Sequence, residues 1–244
     1  MTAVLRKELL LYFTSPIFYA LAAIFLVLSG YFFYTNLHFF VLYGAMDLVK
    51  GFWLFHFLDT RRLLIVLVPM LTMRLVAEER KLGTLELLWT YPIGDAGVIA
   101  GKFLACVLVL ALTLGLTAIH PLMLARIYPL DWGPVVAGYL GLLLLAAACV
   151  SCGLLVSALT DSQLVAAAAT YGVLLLFWVL TWNEAAVSEG WLGWLAPLSL
   201  FDRTAVFAEG GIDTRDIVYF VLFSATGLGC TLLAFESRRW RGVR

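Results

Sequence analysis

Charge is what this sequence has least of. Asp, Glu, Lys and Arg make up 13% of its 244 residues, while 63% are hydrophobic and the mean hydropathy is +0.99. Soluble domains carry about twice that share of charge. A soluble globular protein is therefore excluded, and an integral membrane protein with little soluble mass remains. Sixteen basic residues balance sixteen acidic ones, so no basic surplus points to nucleic acid. Cysteines number four, and Cys106, Cys149, Cys152 and Cys230 all fall inside apolar runs, as small buried hydrophobes do. Cys149-x-x-Cys152 lacks the second Cys/His pair of a zinc site and the strand–helix setting of a redox motif. Paired carboxylates, a serine elbow and His-Glu-x-x-His are all missing, which disfavours a membrane-embedded hydrolase. No apolar run carries an acid, a base or a histidine near its middle. Ion-coupled carriers place ionisable groups there, so a stand-alone secondary carrier is disfavoured too. Gly97 to Phe103 imitates a phosphate loop, but its first glycine is one residue too close, Phe103 replaces the Ser/Thr that would hold magnesium, and no strand precedes it. It reads as helix packing at the start of a span.

What is present is a series of long apolar runs. A lipid-spanning helix needs roughly 20 apolar residues, so the chain reads as one all-helical transmembrane domain over residues 1–244 with six spans. These are expected near residues 17–36, 55–77, 101–124, 138–159, 164–182 and 217–235. Ser15-Pro16 sets a cap residue and a first-turn proline before the first span. Pro69 is expected to kink the second, and the Ala and Gly of the fourth suit close packing. Residues 2–14 read as an N-terminal interfacial helix capped by Thr2, with Val4, Leu5, Leu9 and Tyr12 on its apolar side. Residues 183–216, rich in Trp and acidic groups, read as a pair of short amphipathic, partly re-entrant helices at the outer interface. Arg61 and Arg62 are placed at that interface by snorkelling, and a lone His120 near the end of the third span reads as structural. With both termini cytoplasmic, ten Lys/Arg fall inside (Arg6, Lys7, Arg74, Arg80, Lys81, Lys102 and the four arginines of the tail) and six outside, the sign the positive-inside rule requires.

The stretch between the second and third spans, residues 78–93, breaks the apolar pattern. Glu78-Glu79-Arg80-Lys81 forms a charged knot, and Gly83-Thr84 opens a short segment ending at Tyr91-Pro92. Thr84 is placed to cap it, and Glu86 is favourable against the helix dipole. So short a helix is not stable alone in water and needs a partner surface.

The run Pro69 to Leu88, PMLTMRLVAEERKLGTLELL, resembles the ABC-2 type permease subunits of ABC transporters, and among them is most similar to the gliding-motility-associated GldF-like branch. Arg6-Lys7-Glu8 ahead of Phe13 to Tyr19, and Gly211 to Phe220 ahead of the last span, agree with it. Glu209-Gly210 departs from the Arg/Lys-Gly expected there. The resemblance implies half of a permease dimer, homodimeric or paired with a related permease, in a bacterial inner (cytoplasmic) membrane. The chain itself would not be an enzyme. ATP and magnesium would bind a separate ATPase subunit, with no cofactor or metal on this chain. The ATPase-coupling residues would be Arg6, Lys7, Glu8, Glu78, Glu79, Arg80, Lys81, Gly83, Thr84, Glu86 and, in the turn between the fourth and fifth spans, Asp161. The resemblance further implies that the first and fifth spans form the dimer interface, and the GldF-like branch adds a membrane-anchored extracytoplasmic partner. The competing reading is a membrane scaffold or assembly factor with no transport path.

Overall fold

A computed structural model describes residues 1–43, 51–83, 94–182 and 199–241. All regular structure among them is helical: α1 (Thr2–Thr14), α2 (Pro16–Tyr43), α3 (Gly51–Thr72), α4 (Ala77–Lys81), α5 (Asp95–Leu116), α6 (Ile119–Ala125), α7 (Trp132–Leu159), α8 (Gln163–Trp182), α9 (Arg203–Ala208) and α10 (Thr214–Arg241). Among the described residues, four stretches are long and apolar enough to cross a membrane: Pro16–Leu42, Asp95–Ala125, Trp132–Leu159 and Thr214–Ser237. Gln163–Val179 is apolar but shorter. Helix α3 is set apart by Asp59, Arg61 and Arg62 within its length and by the burial of most of its residues.

Helix α7 is the hub. It packs against α3, α5, α8, α9 and α10, and its composition explains how so many neighbours approach it. A methyl on Gly138 would lie 2.1 Å from the Phe57 ring, one on Gly141 2.5 Å from Phe207, and one on Gly153 2.3 Å from the Thr72 hydroxyl. Small residues thus set the interhelical spacing, as expected for helices packed without a hydrophobic drive between them. The start of α7 is capped by Asp131, whose carboxylate accepts from the Gly133 N–H at 3.0 Å.

Several boundaries differ from the sequence reading. Thr2 is the first helical residue, so the cap position falls on Met1 and not on Thr2. Helix α1 buries Val4, Glu8 and Tyr12, a stripe at four-residue spacing, and exposes Leu10, Leu11 and Phe13. The run expected to form an unbroken second span stops at Thr72, turns through residues 73–76 and resumes as α4. Pro69 lies inside α3 without ending it. The third apolar run is interrupted at Thr117-Ala118, between α5 and α6.

At the end of the bundle away from α1, Arg61 is not a snorkelling residue. It is buried and donates to the Phe201 carbonyl and, at 2.9 Å, to the Thr204 hydroxyl, fastening α9 to α3. Arg62 is the exposed member and pairs with Asp59, which also accepts from Asn36 of α2 at 2.9 Å. Gly210 holds a φ of 89°, open to glycine at no cost, and lets the chain turn against Pro134. Only α9 represents the expected outer pair of short helices; residues 183–198 lie outside the described residues. His120 stacks on Phe33 at 4.8 Å, with the buried His56 edge-on at 5.5 Å, an aromatic packing role.

Overpacking a filled contact costs about 1–3 kcal/mol. Gly138→Ala and Gly153→Ala are therefore expected to lower the melting temperature in detergent, while Gly172→Ala, which meets nothing within 4 Å among the described residues, leaves it level or raises it.

Candidate functional site

Three segments distant in sequence meet where α1 crosses the start of α5. A methyl on Gly101 would touch Val4 at 3.0 Å, so the crossing is close, and it carries the next residue, Lys102, under α1. Lys102 has no exposed surface. Its ammonium lies 2.7 Å from Glu8 Oε1 and 2.9 Å from Glu79 Oε2. Lys7 completes the ring from the solvent side, donating to Glu79 Oε1 and standing 3.8 Å from Glu8. Two cations and two carboxylates thus alternate across α1, α4 and α5, and the cluster is neutral.

The electrostatics follow from burial and pairing. Burial alone would raise the Glu79 carboxyl, but the Lys102 charge and the hydrogen bonds from Lys7 and Lys102 outweigh it and hold the pKa below its ordinary value of 4.5. Burial alone would lower the Lys7 ammonium, yet the hydrogen bond and charge of Glu79 raise it above 10.5.

Helix α4 is also tied to α7. The Ser157 hydroxyl accepts from the Val76 and Ala77 N–H groups at 3.2 and 3.1 Å and donates to the Met73 carbonyl at 3.3 Å. It thereby satisfies backbone groups freed by the break after α3. Arg80 donates to the Ala158 and Thr160 carbonyls at 2.8 and 2.9 Å and to Asp161 at 2.8 Å, a cation at a helix C-terminus where the dipole favours it. Tyr12 of α1 donates to the Leu71 carbonyl at 3.0 Å. Gly83, with φ of 70°, takes the left-handed position that ends α4. It therefore closes α4, and the segment that it is expected to open lies outside the described residues.

Of the residues singled out from sequence, Lys7, Glu8, Glu79, Arg80 and Asp161 are brought together as internal partners. Arg6, Lys81 and Gly83 are exposed, and Glu78 is half-buried beside Arg74 at 3.9 Å. Thr84 and Glu86 lie outside the described residues. Sequence reasoning passed over Lys102 and Ser157. Lys102 had a signal, a lone lysine inside an apolar run, which demands a carboxylate; Ser157 had none.

A profile of the ABC-2 family transporter proteins matches residues 2–197, well over half of the chain. The protein belongs to the ABC-2 transporter family. No curated protein sequence matches it. As an ABC-2 family member it is a multi-pass membrane protein and a permease subunit of an ABC transporter, a component that is not itself catalytic and that works with an ABC ATPase. In this ABC-2 permease the charged residues of the junction are thus mostly spent on holding α1, α4, α5 and α7 together.

Removing one partner of a buried ion pair costs about 3–5 kcal/mol. Lys102→Ala is expected to destabilise the solubilised permease by that order, and Lys102→Met combined with Glu8→Gln and Glu79→Gln to destabilise it less. The pH dependence has a fixed sign. Glu79, lowered in the fold, stabilises above about pH 4.5 and loses that contribution as pH falls through its folded value. Lys7, raised in the fold, stabilises below about 10.5 and loses that as pH rises past its folded value. Thermal melts in detergent should show an acid loss below about pH 4.5 that is smaller in Glu79→Gln than in the parent.

Proposed function

We propose that this chain crosses a bacterial inner membrane six times with both termini cytoplasmic, pairs with a second permease copy or a related permease, and couples ATP hydrolysis on a separate ATPase subunit to export or to force transmission. One observation carries the coupling part of this reading: α4 is a five-residue helix that cannot persist alone, yet it is fixed to α1, α5 and α7 by the Lys102 cluster, Ser157 and Arg80. A short helix so held is a place where an outside push reaches three long helices together. Helices α3 and α8 supply the second and fifth spans. In α3 the burial of Arg61 and the pairing of Arg62 with Asp59 reduce the cost of charge within a span.

In this reading the residues divide by task. Glu8, Glu79 and Arg80 position α4, while Arg6, Lys81 and the chain leaving Gly83 meet the ATPase. Thr84 and Glu86 extend that surface. The local resemblance to the GldF-like branch supports a membrane-anchored extracytoplasmic partner as well.

Purification from native membranes in mild detergent is expected to recover an ATPase with Walker motifs at one copy per permease; recovery of the chain alone after gentle crosslinking would favour a scaffold. The double variant Arg6→Glu, Lys81→Glu should weaken ATPase association at least about tenfold, the scale on which charge pairs act across an interface, with an unchanged melting temperature. Full association of that variant would remove these residues from the docking surface.

A further inference from the structure

A cleft of about 660 Å³ opens between α1, the start of α2 and the α3–α4 junction. That volume is typical of small-molecule sites. Leu11, Ile17, Leu21 and Met70 line its apolar wall, and Leu11, Ile17 and Met70 are exposed. The charged groups on its floor, Lys7, Glu8, Glu79 and Lys102, are spent on one another. Two charges at its rim are held loosely. Arg74 donates one Nη to the Ser15 hydroxyl at a long 3.3 Å, and its buried Nε finds no hydrogen-bond acceptor among the described residues. Glu78 Oε2 stands 3.9 Å from that Nε, beyond hydrogen-bond range.

We propose that this cleft holds a glycerophospholipid with a primary-ammonium headgroup, its phosphate on Arg74 and its ammonium on Glu78. The proposal rests on α1 lying at a bilayer surface, as in the function proposed above, and not on ATPase docking. Charge selects the headgroup. The cleft is lined by three cations, Lys7, Arg74 and Lys102, and three carboxylates, Glu8, Glu78 and Glu79. A purely anionic headgroup would meet Glu78 with nothing to offset it. A quaternary ammonium cannot donate a hydrogen bond to that carboxylate. A guanidinium matches phosphate with two parallel hydrogen bonds, and the apolar wall suits the first methylenes of the acyl chains. Such a lipid would bridge α2 to the end of α3 beside the α4 junction.

The full-length permease, stripped of lipid in a neutral detergent, is titrated with short-chain phosphatidylethanolamine, phosphatidylcholine and phosphatidylglycerol and read by native mass spectrometry. Phosphatidylethanolamine should bind about tenfold tighter than the other two, the loss expected when a charged partner goes unmatched. Glu78→Gln should erase its advantage over phosphatidylglycerol. Arg74→Ala should weaken all three, and Leu21→Trp should fill the slot and block binding without lowering the melting temperature. Arg62→Ala, at the far end of α3, should change nothing. Equal binding of the three lipids, or binding indifferent to Arg74→Ala, overturns the proposal. Tighter binding of farnesyl phosphate than of phosphatidylethanolamine overturns it in favour of a phosphate-headed cargo. In vesicles, brominated lipids should quench a tryptophan placed by Leu11→Trp. Quenching without headgroup preference sinks the lipid site alone, and absence of quenching sinks the placement of α1.

Discussion

A lysine ammonium with no exposed surface must have its charge matched inside the protein, and Lys102 is matched by two carboxylates from opposite directions in the chain. Glu8 comes from α1 and Glu79 from α4. An unmatched charge there would cost several kcal/mol after relaxation, so the seat of α5 in the bundle is favourable only with both segments closed over it. The close approach at Gly101 makes this possible, because Val4 and the Met1 carbonyl occupy the space a side chain would need. A neutral ring of four charges is weak evidence for stability, since apolar residues of similar volume do as well. What it supplies is orientation: α1 and α4 have one arrangement in which both carboxylates reach Lys102.

The second anchor is α7. Its glycine-rich sides admit α3 and α9, and its C-terminal end receives α4. Ser157 acts as a substitute for the helical bonds lost between Thr72 and Ala77, and Arg80 covers the carbonyls that α7 leaves open at Ala158 and Thr160. The break in the second apolar run is therefore satisfied from outside, which is what distinguishes a built junction from a frayed helix end. The same logic appears at the other end, where Arg61 gives α9 its fixed seat on α3.

The long helices were legible because apolar runs of sufficient length have few alternatives, and turns such as Thr160 to Ser162 lie where polar residues interrupt them. The N-terminal helix matched residues 2–14 as well. The break after Thr72 was not legible, since residues 73–76 are Met, Arg, Leu and Val and nothing local marks them; the cause is a hydroxyl more than 80 residues away. On α1, Val4 and Tyr12 of the expected apolar side are buried, and Glu8 shares their stripe at four-residue spacing; what the pattern did not carry is the pairing with Lys102 that lets a carboxylate sit there. The charged knot was legible as a break in the apolar pattern but not in its pairing, because whether a charge faces a partner protein or its own fold depends on tertiary contacts that a pattern does not carry. Arg61 and Arg62 make the point most sharply: adjacent and alike in sequence, one is buried against a carbonyl and a hydroxyl and the other exposed beside Asp59.

The two anchors do not yield equally under load. Neutral hydrogen bonds contribute about 0.5–1.5 kcal/mol each, and the three at Ser157 are long, at 3.1–3.3 Å. The Arg80 bonds are stronger, but their carboxylate partner, Asp161, is largely exposed and open to screening. Breaking the Lys102 pairs would leave an uncompensated charge on a buried side chain, at about 3–5 kcal/mol for each partner removed. A force on α4 thus strains the α7 contacts first. In the proposed coupling, α4 moves with α1 and α5 as one body and slides against the end of α7. The turn at residues 73–76 takes up the displacement, because its backbone bonds to Ser157 are the ones that can be exchanged for water at least cost.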